Sequence, residues 1–124
     1  NAGDLVEAGD YLLRMAAMLE ENDQEKDDNL RLAARLYHHA GELDASWRAM
    51  VNAGVAAYRL GDAVRAGHDL VDATVVAVQA GNSIRAWDTA EKVGYVLRTA
   101  DLLPDERLAI LERVRVQQRD VIRG

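Results

Sequence analysis

The sequence predicts an all-α protein, an antiparallel helix-pair solenoid of about six helices. Three observations predict it. Gly41, Gly61 and Gly81 stand twenty residues apart, and Asp101 takes the next slot. Between these markers the apolar residues recur at i, i+3, i+4 and i+7, the spacing of one helix face. The composition is rich in alanine, leucine, arginine and glutamate, with one proline and no phenylalanine. Those are strong helix formers with few interruptions.

The elements follow in order. Leu5, Ala8, Leu12, Ala16 and Leu19 form the stripe of a first helix over 4–20. Leu30, Ala33, Ala34, Tyr37 and Ala40 mark a second over 26–40. A third runs over 43–60. Val64, Gly67, Leu70, Val71, Thr74, Ala77 and Val78 place the fourth over 63–80. Ile84, Trp87, Ala90, Val93, Leu97 and Ala100 place the fifth over 83–100. Leu108, Leu111, Val114, Val121 and Ile122 give a sixth over 104–122, with Pro104 suited to its first turn. Each glycine suits a left-handed helix end. The Glu42, Asp62 or Asn82 that follows suits the start of the next helix, where free amides favour a polar acceptor. Stop and start within about three residues leave neighbouring helices antiparallel.

A period of forty lies over the period of twenty. Trp47 corresponds to Trp87, and Gly54 to Gly94. The unit is therefore a helix pair, with pairs near 4–40, 43–80 and 83–122 in a single domain, 1–124. Mid-helix glycine costs about 1 kcal/mol relative to alanine. Gly54, Gly94 and Gly67 are thus expected where another helix crosses closely. The matched tryptophans are expected to pack between pairs. The chain opens Asn1-Ala2 without an initiator methionine, as expected of a fragment of a longer protein or a cut N-terminus.

Charge and composition narrow the function. The net charge is −6, from 21 acidic and 15 basic side chains. This argues against nucleic acid and anionic membrane surfaces, which recruit basic faces. There is no cysteine, so disulfides and thiolate chemistry are absent, in keeping with a reducing, cytoplasmic setting. No apolar run reaches the roughly 18–20 residues of a membrane span.

Candidate chemistry is sparse. His38 with Glu42, and His68 with Asp72, have the i, i+4 spacing of two metal ligands, but neither pair has an evident third. The acidic stretch from Glu20 to Asp28 lacks the glycine and closing glutamate of a calcium loop. It reads as a solvated turn with acids at the next helix start. Asp69 and Asp72 are paired acids of the kind any acidic helix carries. Ser46 and Ser83 lie at helix starts without a nucleophile motif. No catalytic residue, metal or cofactor is expected, and an enzyme is not the reading these residues favour.

One stretch resembles a known family. Asn52-Ala53-Gly54, Tyr58, Gly61-Asp62, then Ala66, Leu70 and Ala73 have the spacing of a tetratricopeptide-like (TPR-like) helix pair. The match covers 47–78. Val93-Gly94 keeps the small site in the next pair, but Asp101-Leu102-Leu103-Pro104 replaces its glycine turn. The family proline is missing, and the period is forty rather than thirty-four. The resemblance implies a right-handed solenoid whose first helices line a concave groove. That groove would hold a peptide, a partner helix or another segment of the same protein. Carried over by position, the groove comprises Arg48, Val51, Val55, Tyr58 and Arg59, then Asp88, Glu91, Tyr95 and Arg98. Tyr11, Arg14 and Met18 extend it. The expected function is a protein-protein interaction module with a protein or peptide partner. Alternatives are self-association, as a homodimer through exposed terminal pairs, and a small-molecule sensor with a pocket near Trp47 and Trp87.

Overall fold

The computed structural model describes the backbone of residues 1–123 and the side chains of residues 1–119. Among the described residues there are six helices and no strand. They are α1 (Ala2–Ala17), α2 (Gln24–His39), α3 (Leu43–Arg59), α4 (Ala63–Gln79), α5 (Ser83–Thr99) and α6 (Pro104–Arg123). The side chains of Val121 and Ile122, expected in the sixth stripe, lie outside the described ones.

The glycine junctions are built alike. Gly41, Gly61 and Gly81 have φ of 80°, 84° and 71°, the region closed to most side chains. After each glycine, the next amide donates to a carbonyl five residues back: Glu42 to Tyr37, Asp62 to Ala57, Asn82 to Ala77. This is the Schellman closure, which satisfies carbonyls left over at the helix end. Asp62 and Asn82 then accept from the amides of Arg65 and Arg85 at 3.1 and 3.0 Å. Glu42 makes no such side-chain cap, contrary to expectation. Its longer arm does not reach back as Asp and Asn do. At the fourth slot Ala100 is extended instead, and Glu106 accepts from the amide of Leu103 at 2.8 Å to open α6.

The first helix departs from its predicted bounds. It starts at Ala2, because Asn1 and Asp4 form a reciprocal capping box, and it stops at Ala17 rather than 20. The second starts at Gln24, where Asp23 caps the amide of Glu25 at 2.9 Å.

Consecutive helices pack from α1 through α5, and α6 packs on α4. The helices form two layers, α1–α3–α5 and α2–α4–α6. Most of the side-chain bonds that link successive pairs join residues 38 to 42 positions apart. Burial keeps the same register even where residue type changes. Leu30, Leu70 and Ile110 are all buried, as are Ala16, Ala56 and Val96. Gly9, Ala49 and Thr89 are a third buried set. Small residues let these backbones close up. A Cβ on Gly54 would lie 2.8 Å from Leu70 Cγ, and one on Gly67 2.5 Å from Ile110 Cδ1. Both glycines thus sit at close crossings, as expected. Gly9 does the same against the Tyr37 ring at 2.8 Å, which the periodicity left unremarked.

Gly94 does not. A Cβ there would meet only the end of Arg98, on its own helix. The reason is that α6 leans on α4 rather than on α5. The two helices of the third pair touch at their connection, where Leu102 is buried and Arg107 donates to the Leu97 carbonyl. Beyond it they diverge.

Candidate functional site

The period of forty aligns positions 11, 51 and 91, then 15, 55 and 95, then 18, 58 and 98 along α1, α3 and α5. Apart from Met15, these are eight of the predicted groove positions; Arg14, Arg48, Arg59 and Asp88 are the others. The face they make is uneven. Tyr11 and Met15 are exposed on α1, as is Met18 just past its end. On α3, Val51 and Tyr58 are half-buried against the core clusters, and Val55 is half-buried. Arg48 and Arg59 are exposed, and Arg59 is tied to Glu21 in an ion pair. Asp88, Glu91, Tyr95 and Arg98 are exposed on α5, as is Arg14 on α1. Val51 serves packing more than any outward surface.

Two tyrosines bind this face together. The rings of Tyr58 and Tyr95 are 5.9 Å apart at 50°. Tyr58 shares a hydrogen bond of 2.9 Å with the Thr99 hydroxyl, which itself donates to the Tyr95 carbonyl at 2.8 Å. Tyr58 is therefore fixed, and Tyr95, 52% exposed, leans on it with its outer ring face free. Gly94 leaves room for Arg98 to fold back along α5 beside it. The result is an aromatic pair edged by one arginine and the carboxylates of Asp88 and Glu91.

The matched tryptophans have opposite fates. Trp47 is half-buried, its Nε1 donating to Thr89 at 3.0 Å with the Arg85 guanidinium 4.5 Å over its ring. Asp44 holds that arginine at 2.6 Å. Trp87 is 70% exposed. It was expected to pack as Trp47 does, and it does not. The cover over Trp47 comes from α5, and no described helix lies across Trp87 in that way.

Among the described residues, no three His, Cys, Asp or Glu side chains converge as a metal site. His68 and Asp72 both turn to Arg113, and His38 meets Gln79 at 2.9 Å. Ser46 is buried and donates to the Ala34 carbonyl at 2.8 Å, a bond between helices. No described helix is long and apolar enough to cross a membrane.

The acidic turn holds the largest surprise. Asp27, read as part of a solvated stretch, is fully buried. Arg31 donates to it at 2.8 Å and reaches across to α4, gripping Asp69 through two bonds of 3.0 and 2.8 Å. Arg65 adds a weaker contact to Asp27 at 3.4 Å. Asp69 is likewise more than a paired surface acid. Its bond to Arg31 raises the arginine's pKa above the ordinary value, against an opposing effect of burial. Burial pushes Asp69 above the usual carboxylate range, with Arg31 pulling the other way. The network is a structural clasp between α2 and α4. The i, i+4 spacing of Asp27 and Arg31 was visible in the sequence. Asp69 becomes visible only by looking one period onward.

No protein-family model, curated protein or solved structure matches this chain.

Proposed function

We propose that this domain is a protein-interaction module that holds a peptide or partner helix along its α1–α3–α5 layer. The observation that carries the reading is the Tyr58–Tyr95 pair, anchored on one side and open on the other. Aromatic residues and arginine dominate binding energy at protein interfaces, because they offer large contact area with a polar edge. Exposed Tyr11, Met15 and Met18 continue the apolar row onto α1. Arg98 on one side and Asp88 and Glu91 on the other supply charges that fix the register of a bound segment. The TPR-like spacing of 47–78 supports the same reading, since that family uses this layer for recognition. The lack of cysteine fits a cytoplasmic setting.

Selection from a random-peptide phage library, with counter-selection on a Y95A/R98A variant, tests this. Peptides so enriched should shift NMR signals of Tyr58, Arg59, Tyr95 and Arg98. Affinity should fall about tenfold or more in Y95A. Peptides that bind the variant equally, or that shift only α2, α4 and α6, overturn the reading.

A further inference from the structure

Where α5 and α6 diverge they leave an open cleft of about 720 Å³, floored by the C-terminal half of α4. Its walls are Ala86, Trp87 and Ala90 from α5 and Val114 and Gln117 from α6, over Thr74 and Val78. The cleft lies apart from the Tyr58–Tyr95 face.

The repeat register explains why it is open. In the first pair Tyr37 fills the inter-helix space, its ring against Gly9. In the second, buried Met50 packs with Ala73. Forty residues beyond Met50 stands Ala90, and forty beyond Ala77 stands Gln117. Of these two positions the first pair fills one with Tyr37, with Asp10 at the other, and the second fills one with Met50, with Ala77 at the other; the third has only Ala90 and Gln117, and no large apolar group at either.

Three properties define what fits. First, the volume lies within the range of about 300–1,000 Å³ typical of small-molecule sites. Second, no lining residue is charged, in a chain of which 29% is charged. An ionic occupant would have no counter-charge and would meet the cost of burying a bare charge. Third, one buried polar atom of the lining is left without a partner. Thr74 Oγ1 donates to the Leu70 carbonyl, and Asn82 Oδ1 accepts from the Arg85 amide. Gln117 Nε2 is buried with no acceptor among the described residues. An orphaned buried donor costs about 1–3 kcal/mol, so an acceptor placed there is favoured. The wide ring of Trp87 gives a flat molecule a surface to lie on.

We infer that the α5–α6 cleft is a binding site for a neutral, flat, largely apolar small molecule whose single hydrogen-bond acceptor meets Gln117 Nε2. Its ring system stacks on Trp87, and its body takes the place that Tyr37 and Met50 fill in the other pairs. Because it bridges α5 and α6, it stabilises the third pair by mass action.

Nile red, a neutral polarity-sensitive dye with one carbonyl, serves as the probe, with fluorenone and fluorene as competitors. Saturable uptake of one dye per chain is expected. Uptake should weaken about tenfold or more in W87A, which removes the stacking wall. A90W, which fills the cleft from an exposed position, should abolish it, with helicity checked by circular dichroism. Fluorenone should displace the dye about fivefold better than fluorene, the worth of one net hydrogen bond. Q117L should erase that preference. Failure to saturate, or uptake unchanged in W87A and A90W, overturns the site. A fluorenone preference that survives in Q117L overturns the assigned donor. Sedimentation showing a dimer that excludes the dye would assign the cleft to a second copy instead. Peptide binding on the Tyr58–Tyr95 face is read separately, so either result stands without the other.

Discussion

Within the central pair, Gly54 lets Leu70 of α4 come down onto the backbone of α3. Forty residues on, Gly94 has nothing against it but the arm of Arg98. The two pairs share a register and differ in closure. The central pair is clamped from both sides, by the Arg31–Asp69 clasp on α2 and by the Trp47–Thr89 bond to α5. The two helices of the terminal pair meet each other only near their connection, and each is held instead on the central pair, α6 through Ile110, which enters the space over Gly67. In a repeat array each unit is stabilised by its neighbours. Here the first two pairs each close on one large side chain, Tyr37 or Met50, and the third, with Ala90 and Gln117 at the corresponding positions, has none.

The sharpest way to break that comparison is to remove one acid from each inter-pair link. Asp69→Ala removes both bonds that Arg31 makes across to α4 and leaves the guanidinium on Asp27, and should cost about 1.5–3 kcal/mol. Asp72→Ala removes the partner of Arg113, a pair open to solvent, and should cost less than about 1 kcal/mol. Urea melts of the two variants check the difference. Equal losses would mean that the α4–α6 link is as tightly built as the α2–α4 link.

The matched glycines come next. Gly54→Ala drives a methyl into Leu70, which is buried and cannot retreat, and should destabilise by about 1–3 kcal/mol. Gly94→Ala meets only a flexible side-chain end and should stabilise α5 by about 0.5–1 kcal/mol. Opposite signs from one substitution at two corresponding positions would show directly that α5 lacks the close crossing that α3 has. Thermal melts decide it.

A third measurement concerns the first pair, whose inter-helix space is filled by a titratable ring. Burial, and then the 2.6 Å bond to Asp10, raise the Tyr37 pKa above the ordinary value near 10. The folded state then holds the proton longer than the unfolded chain does. Stability from this group is whole below about pH 10 and falls as pH rises above it. The slope is at most about 1.4 kcal/mol per pH unit. Tyr37→Phe should remove that slope, as read from urea midpoints between pH 9 and about 11. An unchanged slope in the variant would place its origin elsewhere.

These contrasts show which features the sequence makes legible. The glycine spacing and the apolar stripes depend on local backbone physics, so helices and junctions could be read from them. The six helices lie close to their predicted bounds, apart from the end of α1 and the starts of α1 and α2. Corresponding residue types were a poorer guide. Trp47 and Trp87 are the same residue in the same phase, yet one is covered by Arg85 and Thr89 and the other is open. Their fates depend on what packs across each ring, Arg85 and Thr89 of α5 over Trp47 and no described helix over Trp87, which is not a property of the residue. The buried acid Asp27 was hidden for a similar reason. Its solvation depends on Arg31 and on Arg65 of the next pair. On the candidate binding face, positions were readable from the repeat. That Tyr58 would be fixed by Thr99 while Tyr95 stayed free required the packed helices.

The smallest effect tests the matched tryptophans themselves. Trp87→Ala removes a mostly exposed ring and should change stability by no more than about 0.5 kcal/mol. Spectroscopy makes that near-silent change informative. Trp87 should contribute a red-shifted emission readily quenched by acrylamide, and Trp47, shielded by Arg85 and bonded to Thr89, a bluer and less accessible one. Trp87→Ala should therefore abolish the accessible component and leave the protected one intact. Should the accessible component persist, Trp47 is not covered by α5, and the asymmetry between the two pairs collapses. Should stability drop by several kcal/mol, Trp87 is seated against something, and the third pair is closed after all.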